Sequence, residues 1–131
     1  MANIQATVSP RKNIVVTNYN RGSGGATIRQ SGLQVSSTLP NQTLDTFSIL
    51  QIRAAKYSIQ ATYNNDVHVT DLTVTHDGTE VYLTAYGEIV TNNDLFSISA
   101  DIDTNTSEVR LLISPVFDTI VLKFSRYEVL L

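Results

Sequence analysis

Tyr57-Ser58-Ile59-Gln60-Ala61-Thr62-Tyr63 decides the fold. Tyr57, Ile59, Ala61 and Tyr63 alternate with Ser58, Gln60 and Thr62, and successive side chains of an extended chain point to opposite faces. A period of two therefore describes a strand with one face buried. The same period returns in Val81, Leu83 and Ala85, in Phe96, Ile98, Ala100 and Ile102, in Val109, Leu111 and Ile113, and in Ile120, Leu122 and Phe124. No stretch of similar length keeps apolar residues at i, i+3, i+4 and i+7, so helices are not expected.

Working outward, strands or extended runs are expected at 46–53, 56–63, 66–76, 79–86, 94–102, 107–114 and 118–129. Asn64-Asn65 and Asp77-Gly78 read as two-residue hairpin turns, because Asn, Asp and Gly tolerate positive φ. Residues 91–94 and 103–106 read as slightly longer turns. Val67 and Val69 fall out of phase with Leu72 and Val74, which predicts a β-bulge near Thr70-Asp71. Pro115 ends its strand, since it cannot donate to the ladder. The expected fold is all-β: an antiparallel β-sandwich or jelly-roll-like domain over residues 45–131. Residues 1–44 form a leader with a Gly22-Ser23-Gly24-Gly25 break and a Pro40 linker, read as an extended N-terminal arm that orders on a partner.

Charge divides the chain in the same place. Residues 1–44 hold Arg11, Lys12, Arg21 and Arg29 and no acid, for +4. The remaining residues bring the whole to −3. A basic leader on an acidic domain argues that the two meet different surroundings, and Arg11, Lys12, Arg21 and Arg29 are the candidate contacts of the arm. Those charges are too dispersed for a nucleic-acid surface. No apolar run approaches the roughly 20 residues of a membrane-spanning helix. Met1 to Pro10 shows no secretory signal. Cysteine is absent, which excludes disulfides and thiolate metal sites.

The remaining constellations point away from catalysis, cofactors and metals. Asp101, Asp103, Asn105 and Ser107 alternate like a calcium loop, but Thr106 and Leu112 stand where an EF-hand needs Gly and Glu. His68 and His76 lack a convergent carboxylate set. The glycine group has no following Lys-Ser/Thr, and no G-x-S-x-G occurs. Tyrosine is the informative residue: Tyr82 and Tyr86 fall on the face opposite Val81, Leu83 and Ala85, and are candidate partner contacts. The run Tyr127 to Leu131 is apolar enough to need cover.

Ala55-Lys56-Tyr57, Val74 to Thr79, Tyr82 to Gly87, Ser99 to Ile102 and Val109 to Pro115 occur here in one order. In that order they resemble a small β domain of virion structural proteins of tailed bacteriophages, especially phages of cyanobacteria. The likeness covers residues 53–126. It departs at Asp103-Thr104-Asn105-Thr106-Ser107, where that family commonly has a glycine-bearing turn. The resemblance implies a non-enzymatic virion protein, assembled in the host cytoplasm, with no catalytic residues to carry over. The leading expectation is a capsid decoration or cement protein, a homotrimer, docking through its arm on the major capsid protein or other virion proteins. A short tail, neck or fibre-attachment component is the alternative, and a carbohydrate-binding module using the tyrosine face is a further one.

Overall fold

Nine strands follow one another without a helix among the described residues of the computed structural model, which are 17–20, 27–35 and 37–131, with side chains at Val35 and from Ser37 onward. They are β1 (Thr17–Asn20), β2 (Thr27–Gln34), β3 (Gln42–Ser48), β4 (Ile52–Tyr63), β5 (Asp66–His76), β6 (Val81–Val90), β7 (Phe96–Asp103), β8 (Glu108–Pro115) and β9 (Val121–Leu130). Six form one antiparallel sheet in the order β1-β2-β9-β4-β5-β6, and three form a second, β3-β8-β7. The two sheets pack face to face as a β-sandwich.

The alternating residues build the core as their period requires. Tyr57, Ile59 and Ala61 of β4 face inward, as do Leu72 and Val74 of β5 and Leu122 and Phe124 of β9. They meet Leu44, Phe47, Val109, Leu111, Ile113 and Phe96 of the smaller sheet. Three strands cannot cover six, so β6 projects beyond its partner sheet. Val81 and Leu83 are half-buried there and Ala85 is exposed.

The turns differ in detail from the expectation. Asn64 takes φ 55 between the paired Tyr63 and Asp66, a two-residue turn. The turn at Asp77-Gly78 is longer and runs from Asp77 to Glu80. The Asp77 amide bonds the Glu80 carbonyl at 3.1 Å, and Asp77 Oδ1 accepts the amides of Thr79 and Glu80. Those two donated bonds, Glu80 first, hold the Asp77 carboxyl below its usual range. The expected 46–53 run is instead the end of β3, a turn at Ile49 to Gln51, and the start of β4.

Of the leader, Thr17–Asn20 and Thr27–Gln34 are strands, with β2 laid along β9 from Ile28↔Tyr127 to Gln34↔Val121. Val35 and Leu44 are fully buried. Arg11, Lys12 and Arg21 lie outside the described residues. Arg29 lies in β2, opposite Arg126 in the ladder.

Candidate functional site

Two bulges bring carboxylates to buried side chains, Asp45 inside the sandwich and the largely exposed Glu88 at its edge. In β3 the register shifts between Thr43 and Asp45, so Leu44 and Asp45 are both buried although they are adjacent. In β6 the shift places Gly87 and Glu88 opposite the single residue Thr70. Gly87, at φ 63, takes the left-handed position such a bulge demands. The extra residue thus sits on β6, whereas β5 keeps strict alternation with His68, Thr70, Leu72, Val74 and His76 inward. Val67 and Val69 are simply the outward residues of β5.

The first carboxylate closes a buried ionic cluster between the sheets. Tyr57 and Arg126 are cross-strand neighbours on β4 and β9. Asp45 Oδ2 accepts the Tyr57 hydroxyl at 2.7 Å and Arg126 Nη1 at 2.7 Å, and Nη1 also reaches the Thr46 carbonyl at 2.9 Å. Arg126 Nη2 pairs with Glu128, two residues along β9, and the guanidinium stands over the Phe47 ring. Burial, and then the Asp45 charge, push the Tyr57 hydroxyl well above its ordinary value. Burial alone would lower Arg126, but Asp45, Tyr57 and Glu128 together raise it, so its charge is fixed. Residues from both sheets thus share one charge-assisted network, closed off from solvent.

His68 is fully buried and its ring stacks on Phe96 at 4.0 Å. Its Nδ1 accepts the Leu95 amide at 3.0 Å, so the ring proton belongs on Nε2, which donates to Glu88 Oε2 at 2.7 Å. Asp94 brings a second carboxylate, with the ligand atoms of all three residues within 4.8 Å of one another. A cation on Nε2 would send the proton to Nδ1, against the Leu95 N–H. The arrangement is a hydrogen bond that ties β5, β6 and the start of β7, and its donors contradict a metal ligand set. His76 repeats the tautomer: Nδ1 accepts the Gly78 amide at 3.0 Å and Nε2 donates to the Ile52 carbonyl at 2.7 Å. The acidic residues of the 101–107 turn are engaged separately, Asp101 with Arg110 and Asp103 with the Asn105 amide. The Asp101 hydrogen bonds raise the Arg110 guanidinium above its ordinary value.

What remains accessible is the outer face of the six-stranded sheet. Cross-strand partners share a face, so Tyr86, Asp71, Ser58 and Ser125 form one rung across β6, β5, β4 and β9. Thr84, Thr73, Lys56 and Tyr127 form the next. Tyr82, Tyr86, Ile89, Val121, Tyr127 and Val129 are exposed on this side. Tyr82 donates to Asp77 Oδ2 at 3.1 Å, which raises its hydroxyl, and Tyr86 lies 3.4 Å from Thr73 Oγ1. Between Tyr86 and Tyr127 lies a shallow open depression of about 250 Å³, floored by Lys56, Ser58, Asp71 and Ser125. Ser58 donates to Asp71 Oδ1 at 2.8 Å.

A second accessible feature is apolar. Leu50 in the β3–β4 turn is 71% exposed, and Leu130 and Leu131 beside it are 49% and 59% exposed. They are held together because Leu130 pairs with Ile52 and the Leu131 amide bonds the Gln51 carbonyl at 3.1 Å.

Tyr82 and Tyr86 thus sit on the outer face, and Arg29 at a ladder position far from them. Asp45, Arg126 and Glu128 carried no signal as separate residues. The phase of Ile120, Leu122 and Phe124, continued by twos, does land on Arg126 and Glu128, and that was the available clue. The chain matches no protein-family model and no curated protein.

Proposed function

We propose that this chain is a structural subunit of a tailed-bacteriophage virion that acts by binding, and that it decorates the capsid shell. The observation that carries the reading is the apolar end formed by Leu50, Val129, Leu130 and Leu131. Contiguous exposed leucines on a small domain call for a protein neighbour. The ordered resemblance over residues 53–126 names the setting in which a small β-sandwich meets such neighbours. The ionisable residues that converge most tightly, Asp45, Tyr57, Arg126 and Glu128, are enclosed between the sheets, where they hold the fold rather than meet a substrate.

Attachment belongs to two parts of the surface. The leader, with its +4 charge, contributes β1, the outer strand of the six-stranded sheet, and an outer strand can extend onto a partner's sheet. The apolar end supplies contact between copies, for which a homotrimer is the proposed assembly. Sedimentation of the native chain should show a species larger than the monomer, and Leu50→Ser with Leu130→Ser should return it to one. A native monomer at micromolar concentration would remove the oligomer.

Copy number in purified particles tests the role itself. A decoration protein is present in hundreds of copies, whereas a tail, neck or fibre-attachment component is present in a handful. Absence from the particle would end the virion reading altogether.

A further inference from the structure

We infer that the depression between Tyr86 and Tyr127 on the outer face of the sandwich is a binding site for one neutral sugar ring. The inference stands apart from the virion reading and is tested without it.

Geometry comes first. Tyr86 and Tyr127 belong to adjacent rungs at the two ends of a four-strand span. Three strand intervals of ~4.8 Å separate them. Both rings are nearly half exposed, 47% and 44%, so they stand as low walls on either side of a flat polar floor. A pyranose has one comparatively apolar C–H face and a rim of hydroxyls. Aromatic walls meet the first and a hydrogen-bonding floor meets the second.

The floor supplies the complementary groups. Asp71 spends Oδ1 on the Ser58 hydroxyl and keeps acceptor capacity on Oδ2. Lys56 and Ser125 make no hydrogen bond or ion pair among the described residues and border the same hollow, so a donor and a donor–acceptor face it unspent. Arg126 also borders the hollow, but its charge is met inside the sandwich by Asp45 and Glu128, so the Lys56 ammonium and the Asp71 carboxylate leave the floor near neutral, which favours a neutral polyol over an anion or a cation. The volume of about 250 Å³ lies below the ~300–1,000 Å³ of sites for drug-sized ligands, so it suits a single ring. Tyr82 is not part of the site. Its hydroxyl is tied to Asp77, and it does not line the hollow.

The test is amide NMR of the full chain titrated with methyl α-glucoside, methyl α-mannoside, methyl β-galactoside and N-acetylglucosamine, with sodium sulfate as the anion control. At least one glycoside should shift the amides of Lys56, Ser58, Asp71 and Ser125 in the millimolar range, and sulfate should not. Tyr86→Ala and Tyr127→Ala should each weaken that binding by about five- to tenfold, while Tyr82→Ala leaves it unchanged. Both tyrosines are exposed, so an unaltered melting temperature separates loss of binding from loss of fold. The inference is overturned if no glycoside shifts these amides, or if the shifts survive in the Tyr86→Ala, Tyr127→Ala double variant. It is equally overturned if sulfate shifts them as strongly, or if they move with protein concentration alone, which would make the face a contact between copies.

Discussion

The two faces of β9 invert each other beyond Phe124. Inward, Leu122 and Phe124 give way to Arg126 and Glu128, and outward, Lys123 and Ser125 give way to Tyr127 and Val129. The same strand thus carries its charges inside and its apolar residues outside over the last half of its length. The inversion is stable because charge inside is met by charge, with Asp45 brought from the other sheet by a bulge. The outer residues Tyr127 and Val129 stay nearly half exposed. The difference teaches that burial on this strand follows pairing, not polarity.

Substituting neighbours on opposite faces gives the largest effect. Arg126→Ala strands two buried carboxylates and should cost about 3–5 kcal/mol. Tyr127→Ala, one residue away on the outer face, should stay within about 1 kcal/mol. Urea denaturation of the two variants measures both. Equal costs would mean that the cluster is as solvated as the outer face.

The strands themselves were legible. Alternation located the inner faces of β4, β8 and β9 and put Tyr82 and Tyr86 opposite Val81, Leu83 and Ala85, because a pleated strand with one buried face leaves a period of two. The cluster was not legible. Asp45 and Arg126 are 81 residues apart, and nothing local to Asp45 shows that a bulge at Leu44 turns it inward. The bulge does lie at Thr70, where the sequence places it, but its extra residue is on β6; β5 stays in phase, and Val67 and Val69 are apolar residues of its outer face that pass for core in sequence. Pairing of β2 with β9 also escaped, because Thr27 to Gln34 lacks a clean period.

The inner histidines should follow next in size. His76→Leu removes the partner of the buried Ile52 carbonyl, an orphaned group that costs about 1–3 kcal/mol, and of the Gly78 amide, which lies in an exposed turn where water can replace the bond. Long-range ¹⁵N NMR should place the proton of both His68 and His76 on Nε2. Finding it on Nδ1 would reopen the His68–Glu88–Asp94 cluster as a cation site.

Tyr57 separates the cluster from the apolar core around it. Tyr57→Phe keeps the ring beside Phe124 but deletes the donor to Asp45, at a cost of about 1.5 kcal/mol. The hydroxyl's folded value lies above the ordinary 10.0, so the folded chain holds that proton more tightly than the unfolded one. Its contribution is complete below pH 10 and is lost as pH rises beyond it. The native chain should therefore lose more stability above pH 10 than Tyr57→Phe does. Parallel alkaline curves would mean that the hydroxyl titrates in the open.

The smallest effects lie in two turns, where the same backbone region is occupied once by glycine and once not. Gly78 sits at φ 97 with open space where a Cβ would go, so Gly78→Ala is penalised by conformation alone. Left-handed φ costs a non-glycine residue about 1–3 kcal/mol, and a destabilisation near the low end is expected because nothing clashes. Ser107 sits at φ 57 in the turn between β7 and β8, and its carbonyl must stay in place to accept the Ile49 amide at 3.0 Å. Ser107→Gly removes that strain but frees the unfolded chain, which offsets about 0.4–1 kcal/mol of the gain. The net change should be a stabilisation of no more than about 0.5 kcal/mol. Opposite signs at the two sites, read from thermal midpoints, would show that both turns demand the left-handed region. A loss of stability in Ser107→Gly would mean that the serine side chain, not its φ, holds the turn.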